Sequence, residues 1–148
     1  MADKFVFDNE RLGLGYLNQC VRDGWTVTHT PNRYDRWDAN ITKGDRTYKA
    51  EVKVRYISEK LANQGLLLDS NKINKDVYYY WEFIPSMNAG YMITYKQIQD
   101  GISSGEIIKD DRLCSDKTYI NPNKKVEKNN LLIPIELFKR FPLNCQDY

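Results

Sequence analysis

The chain has few of the residues that build metal–sulfur sites, disulfide frameworks or membrane spans. Its 148 residues include three cysteines, Cys20, Cys114 and Cys145, and one histidine, His29. No cysteines form a C-x-x-C pair, so the sequence indicates neither a zinc knuckle nor a disulfide framework, and reduced thiols are expected. There is no apolar run of about 18 residues and no apolar segment at the amino terminus, which favours a cytoplasmic protein.

Several catalytic motifs are also missing. Gly13-Leu14-Gly15 lacks the third glycine of a dinucleotide-binding fingerprint, and the chain has neither a Walker loop nor an H-E-x-x-H pair. With one histidine, a Ser-His triad has little support. These absences argue against P-loop enzymes, zinc proteases and serine hydrolases.

The composition is that of a folded domain. Hydrophobic residues make up 41% of the chain and aromatic residues 13%, so disorder is not expected. The 22 basic and 20 acidic side chains leave a net charge of +2, which excludes a protein that coats nucleic acid but allows a local basic surface. The length predicts a single domain over residues 1–148, with a core at about 8–84 and a carboxy-terminal extension at 96–148.

The patterning predicts alternating helices and strands. Asp8 is a plausible N-cap for a helix, in which Gly13 and Gly15 predict either a close packing contact or a marginal helix. Trp25–Thr30 has the β-branched residues of a strand. Further elements are predicted in the remaining chain: a helical turn or loop at 58–63, a helix at 66–73, strands at 76–84 and 91–95, a helix at 96–102, a loop at 103–130, a strand at 131–133 and a helix at 135–140.

The strongest pattern is a hairpin around Gly44-Asp45. Within the strand-like run 46–55, apolar and charged residues alternate strictly from 48 to 55, which is the signature of a strand with one buried face. A two-residue turn at Gly44-Asp45 pairs 43 with 46, 41 with 48 and 39 with 50. This register brings Ile41 and Ala50 onto one apolar face.

The same register places Asp38 directly opposite Glu51, with Lys53 on the same face. Like charges so opposed destabilise a sheet, whereas a divalent cation between them would remove the repulsion. Two carboxylates suit Mg²⁺ or Mn²⁺, which retain waters and take phosphate oxygens as further ligands. A neighbouring lysine could act on the water and on phosphate charge. The pattern therefore predicts metal-assisted hydrolysis of a phosphodiester.

Asp38 followed by Glu51-Val52-Lys53 resembles the D…(D/E)-x-K core of the PD-(D/E)XK nucleases, which include restriction endonucleases and Holliday junction resolvases. The order of elements is similar to the αβββαβ core of that superfamily. The resemblance implies an α/β fold with a central mixed sheet flanked by helices. It also implies Asp38, Glu51 and the Val52 carbonyl as metal ligands, Lys53 as the catalytic lysine and Glu10 as a further carboxylate beside the metal. Trp37 stands where the named pattern has proline.

Basic residues around this motif suggest how the substrate is held. Residues 33–60 contain eight Lys or Arg and five Asp or Glu. Arg36 and Arg55 flank the motif and Lys72 follows it, so all three are candidate contacts to a nucleic-acid backbone. The Tyr78–Trp81 run suits either base stacking or core packing, and packing is the commoner use.

The sequence therefore predicts a Mg²⁺-dependent deoxyribonuclease that cuts duplex or branched DNA. No separate specificity domain is evident, so a partner protein could supply specificity, and double-strand cleavage would suit a homodimer. Two alternatives remain open. One is a catalytically inactive module of this fold that binds nucleic acid or protein, and the other is a protein that acts only by contact with a partner.

Overall fold

The computed structural model describes residues 12–18, 20–21, 24–29, 38–110 and 130–142. Residues 12–18 and 20 are helical and form α1. The other helices are α2 (Glu59–Asn63) and α3 (Tyr95–Ser104). Nine strands are described: β1 (Thr26–His29), β2 (Ala39–Lys43), β3 (Arg46–Val54), β4 (Leu66–Asp69), β5 (Tyr79–Ile84), β6 (Ala89–Thr94), β7 (Ile108–Asp110), β8 (Asn130–Ile133) and β9 (Lys139–Pro142).

Six strands form a central mixed sheet in the order β1-β2-β3-β5-β6-β9. Strands β3 and β5 are parallel, while the other neighbouring pairs are antiparallel. A smaller sheet has the order β4-β8-β7. The predicted central mixed sheet with flanking helices is therefore confirmed. The predicted order is also present, with β4 inserted between α2 and the strand that runs parallel to β3.

The β2–β3 hairpin has the predicted register. Lys43 pairs with Arg46, Ile41 with Tyr48 and Ala39 with Ala50. Gly44 has a φ of +57°, a value that glycine adopts at little cost in a two-residue turn. The alternation along β3 thus presents Val52 to one face of the sheet and the charged residues to the other.

The two faces of the central sheet are covered differently. On the Val52 face, α1 contributes Leu14 and Leu17 to an apolar cluster that includes Phe83. On the opposite face the smaller sheet packs with α2 and α3, and Leu66 and Ile98 are fully buried there. The Asp38–Glu51 region lies on this second face.

Three predicted elements were wrong. Residues 66–69 form strand β4 rather than a helix, because Leu66 and Leu68 alternate with less buried neighbours and pair with β8. Residues 135–137 form a 3₁₀ turn after Pro134, and the following residues pair with β6 as strand β9. The predicted loop at 103–130 contains the end of α3 and strand β7.

The predicted start of the first helix, Glu10 and Arg36 lie outside the described residues. None of the described helices is long and apolar enough to cross a membrane.

Candidate active site

Asp38 lies immediately before β2, where its carboxylate is fixed by the backbone of β3. Its Oδ2 accepts a hydrogen bond from the Val52 N–H at 2.9 Å. Its own N–H donates to the Ala50 carbonyl at 3.0 Å. The side chain therefore continues the hairpin hydrogen bonding beyond the last residue pair of β2, which holds the carboxylate against the centre of β3.

Glu51 lies in the middle of β3, between β2 and β5, and its side chain is 22% exposed. Burial, and after it the nearby Asp38 charge, are the main causes that raise the pKa of Glu51 to about 7. Lys72 and Lys53 act in the opposite direction on this pKa, while Glu82 adds to the increase. Two carboxylates therefore oppose each other's ionisation here, as the predicted register required.

The two lysines near Glu51 come from different elements. Lys53 follows Glu51 on the same face of β3 and is exposed. Lys72 lies in a 3₁₀ turn (Ser70–Lys72) that follows β4, and its Nζ is 4.0 Å from Glu51 Oε1. This turn replaces the predicted helix, but it still exposes Lys72, whose side chain is 67% exposed.

Arg55 and Glu82 form an ion pair beside Lys53. Arg55 Nε is 2.9 Å from Glu82 Oε2, and the two side chains are 15% and 5% exposed. Arg55 Nη2 also donates to the Leu67 carbonyl on β4. The guanidinium therefore links β3, β5 and the smaller sheet, and it is committed to these partners rather than open to solvent.

Glu51, Lys53, Arg55, Lys72 and Glu82 line a cavity of about 80 Å³, which we call the carboxylate cavity. Its charged lining is balanced, with three acidic and three basic side chains: Glu51, Asp69, Glu82, Lys53, Arg55 and Lys72. Tyr80 forms part of its wall, and its hydroxyl interacts with the Asn74 backbone. Burial raises the pKa of Tyr80 to about 12, so this hydroxyl stays protonated and neutral.

The donor set fits a hard divalent cation better than zinc. Among the described residues, no group of three or more His, Cys, Asp or Glu side chains is placed to hold a metal ion. Asp38 and Glu51 offer carboxylate oxygens, and their mutual effect on ionisation would be relieved by a positive charge. Mg²⁺ and Mn²⁺ are commonly held by one or two carboxylates together with waters and phosphate oxygens.

Sequence reasoning missed Glu82. It is 3% exposed and is aligned with Lys53 across the parallel β3–β5 pair. The signal in the sequence was one charged residue within the apolar run from Tyr78 to Ile84, because a buried carboxylate in a central strand requires a charged or hydrogen-bonding partner.

No protein-family model and no curated protein matches the chain. Among solved structures, it is similar to D212, a nuclease from a fusselovirus, with 14% sequence identity and a TM-score of 0.49. That similarity covers 93% of this chain and 83% of the other. At this identity and TM-score, the likeness carries no assignment of function.

Proposed function

We propose that the chain is a metal-dependent phosphodiester hydrolase, a DNA endonuclease of the PD-(D/E)XK type. The observation that carries this proposal is the electrostatic coupling of Asp38 and Glu51 beside Lys53. Two carboxylates held close together in a half-buried position repel each other and destabilise the fold. Such a pair is typical of a functional site, where a bound cation removes the repulsion. The adjacent lysine supplies the positive charge that a phosphate substrate requires.

Asp38, Glu51 and the Val52 carbonyl would hold Mg²⁺ or Mn²⁺, with Glu10 as a further carboxylate. When bound, such an ion acidifies water and neutralises charge on the scissile phosphate. The Val52 N–H orients the Asp38 carboxylate by donating to Oδ2. Glu51 must lose its proton to act as a ligand, and Lys72 favours that loss.

Lys53 and Lys72 are the two lysines proposed to act on the phosphate groups of the substrate. The Lys53 ammonium would orient the attacking water and offset the charge that develops on the phosphate oxygens. Lys72 would contact the nucleic-acid backbone, with Arg36 as a further candidate. Arg55 is already bound to Glu82 and Leu67, so we assign it to holding the site together rather than to binding DNA.

The substrate we propose is duplex or branched DNA. A bound divalent cation would cancel the charge of the two carboxylate ligands, and Arg55 already balances Glu82. The two lysines would then outweigh Asp69 and leave the cavity with a net positive charge. A homodimer would bring two such sites to opposite strands, and a partner protein could supply sequence specificity.

The test is cleavage of supercoiled plasmid and of synthetic duplex and branched DNA in Mg²⁺, Mn²⁺ or EDTA. We expect nicking that requires the metal and falls by at least about 10²-fold in Asp38→Asn, Glu51→Gln and Lys53→Met, because each change removes a charge that acts on the reacting phosphate. The matched controls are Asp100→Asn, Glu59→Gln and Lys60→Met, which alter exposed residues of α3 and α2.

Equal loss in the control variants would point to misfolding rather than catalysis. Cleavage that persists in all three site variants would contradict the proposal. DNA binding without cleavage at any metal, unchanged by the three substitutions, would favour the inactive binding module instead.

A further inference from the structure

A second and larger cavity lies on the opposite face of the central sheet. Its volume is about 290 Å³, near the lower end of the range for small-ligand sites. Residues of α1, β2, β5, β6 and β9 line it, together with Val21 and with Trp25, which lies immediately before β1. Most of its lining is aromatic or basic, with four aromatic and two basic side chains: Trp25, Tyr79, Trp81, Phe141, Lys43 and Lys139.

Both lysines are held over aromatic rings of the cavity. Lys43 Nζ is 5.3 Å from the centre of the Trp25 ring. Lys139 Nζ is 5.2 Å from the centre of the Phe141 ring. These are cation–π distances, and they fix two ammonium groups beside the cavity. A ligand that enters therefore meets positive charge from β2 on one side and β9 on the other.

The lining contains no carboxylate among the described residues. Its other ionisable groups are Cys20 and Tyr79. Burial raises the pKa of the Cys20 thiol to about 11 and also raises the pKa of Tyr79, so both stay neutral at physiological pH. The positive charges of Lys43 and Lys139 therefore have no carboxylate to balance them within the lining, in contrast to the charges of the carboxylate cavity. An anionic ligand would supply that balance.

Trp81 adds a hydrogen-bond donor. The residue is 4% exposed, and its indole Nε1 is the one buried side-chain polar atom without a partner in the described part of the chain. A buried donor left without an acceptor costs about 1–3 kcal/mol. A ligand with an oxygen or ring nitrogen that reaches this edge of Trp81 would supply the missing acceptor.

The aromatic surface continues beyond the cavity. The Tyr48 ring lies 6.0 Å from the Trp25 ring and 4.9 Å from the Tyr78 ring. Tyr78 is 42% exposed, so it offers a ring face to solvent next to the cavity. Successive aromatic rings beside lysines are the surface on which single-stranded nucleic acids stack their bases.

We propose that this cavity binds an unpaired nucleotide, with the base among Trp25, Tyr79 and Trp81 and the phosphate beside Lys43 and Lys139. The base would accept a hydrogen bond from the Trp81 N–H. In a longer strand, the next base would stack on Tyr78. This site goes beyond the proposed hydrolase, because it lies on the other face of the sheet and needs no metal.

The test is an NMR titration in EDTA of protein carrying ¹⁵N-labelled tryptophan, with the indole signals assigned by Trp25→Phe and Trp37→Phe variants. Deoxynucleoside 5′-monophosphates should shift the Trp25 and Trp81 indole signals saturably. The unphosphorylated nucleosides should bind more weakly. EDTA silences the carboxylate site, so the result is independent of DNA cleavage.

Replacement of both rim lysines, Lys43→Met with Lys139→Met, should weaken nucleotide binding roughly tenfold or more, as loss of charge-assisted contacts predicts. The matched control replaces Lys60 and Lys96, which are exposed on α2 and α3, and should leave the affinity unchanged. No shift of Trp81 with any nucleotide, or equal affinity in both lysine pairs, would overturn the proposal.

A short oligothymidylate identifies the natural source of the ligand. If the site receives a strand, the oligonucleotide binds more tightly than dTMP and Tyr78→Ala abolishes that advantage. If it receives free nucleotides, the two bind alike and Tyr78→Ala has no effect. Either result supports the site, whereas binding of the oligonucleotide that leaves both indole signals unmoved counts against it.

Discussion

The two faces of the central sheet are stabilised by different physical means, although they share β3 and β5. On one face Glu51 and Lys53 lie beside the buried Glu82–Arg55 pair. On the other face Val52 and its neighbours pack against α1. The first face is therefore arranged by charge around Glu51, beside its apolar core, whereas the second face is arranged by packing around Val52.

This difference predicts how each face responds to change. Charges in a half-buried position act over several ångströms and depend on their protonation. Packing contacts depend on the fit of neighbouring atoms and are insensitive to pH. Substitutions on the carboxylate face should therefore have effects that vary with pH or with a charged partner, whereas those on the α1 face should not.

The largest effect on stability is expected from Glu82→Ala. This change leaves the Arg55 guanidinium buried without its carboxylate, and breaking such a pair costs about 3–5 kcal/mol. The free energy of unfolding in urea, measured against wild type, checks the value. We also expect loss of the proposed nuclease activity, because Arg55 ties β3 to β4 and Lys72 lies in the turn that follows β4.

A double variant, Arg55→Met with Glu82→Leu, distinguishes charge from volume. Replacing both charges by apolar groups of similar size is often neutral or stabilising, so the double variant should recover most of the stability lost in Glu82→Ala. If it is as unstable as the single variant, packing rather than the unpaired charge explains the loss.

The next effect concerns Glu51, whose ionisation opposes folding. Its pKa is raised from 4.5 to about 7 in the folded chain, so the folded state binds its proton more tightly than the unfolded state does. The resulting stability is present below pH 4.5 and is lost as the pH rises through about 7. Without metal, Glu51→Gln should therefore stabilise the protein at pH 8 by up to about 3 kcal/mol and have little effect at pH 4.

Urea unfolding of both proteins in EDTA at the two pH values measures this difference. Added Mg²⁺ should stabilise wild type at pH 8 and leave Glu51→Gln unchanged, because a cation takes the place of the proton. Glu59→Gln on exposed α2 is the control. A stability difference between wild type and Glu51→Gln that is the same at both pH values would indicate that Glu51 is solvated and uncoupled from Asp38.

Local patterning was enough to predict the hairpin and its carboxylates. The alternation from Tyr48 to Val54 and the Gly44-Asp45 turn define one register, and that register alone brings Asp38 to Glu51. Each of these signals depends on neighbours within the hairpin. The hairpin register that these signals predict is the one observed, and the roles of its carboxylates stay predictions.

Elements that depend on distant partners were harder to predict. Residues 66–68 are three successive leucines, a run that fits a buried strand or a helix equally well, and the pairing with β8 decides between them. The role of Arg55 depends in the same way on Glu82, 27 residues further along the chain. Long-range pairs of this kind produce no periodic pattern of residues in the local sequence.

The smallest effect is expected where α1 contacts β3. A Cβ added to Gly13 would lie 2.6 Å from Val52 Cγ1, whereas one added to Gly15 would meet no atom within 4 Å. Gly13→Ala should therefore destabilise the chain by about 1–3 kcal/mol through overpacking. Gly15→Ala should be neutral or stabilise the helix by up to about 1 kcal/mol.

The two alanine variants add the same methyl group to the same helix, so their difference isolates the contact with Val52. That difference should be equal at pH 4 and pH 8 in urea unfolding, because no charge is involved. Gly13→Ala should also reduce cleavage, since Val52 supplies both the N–H that orients Asp38 and the carbonyl proposed to bind metal. A difference that changes with pH would mean that the packing of α1 and the ionisation of Glu51 are coupled through β3, and the two faces would then not be independent.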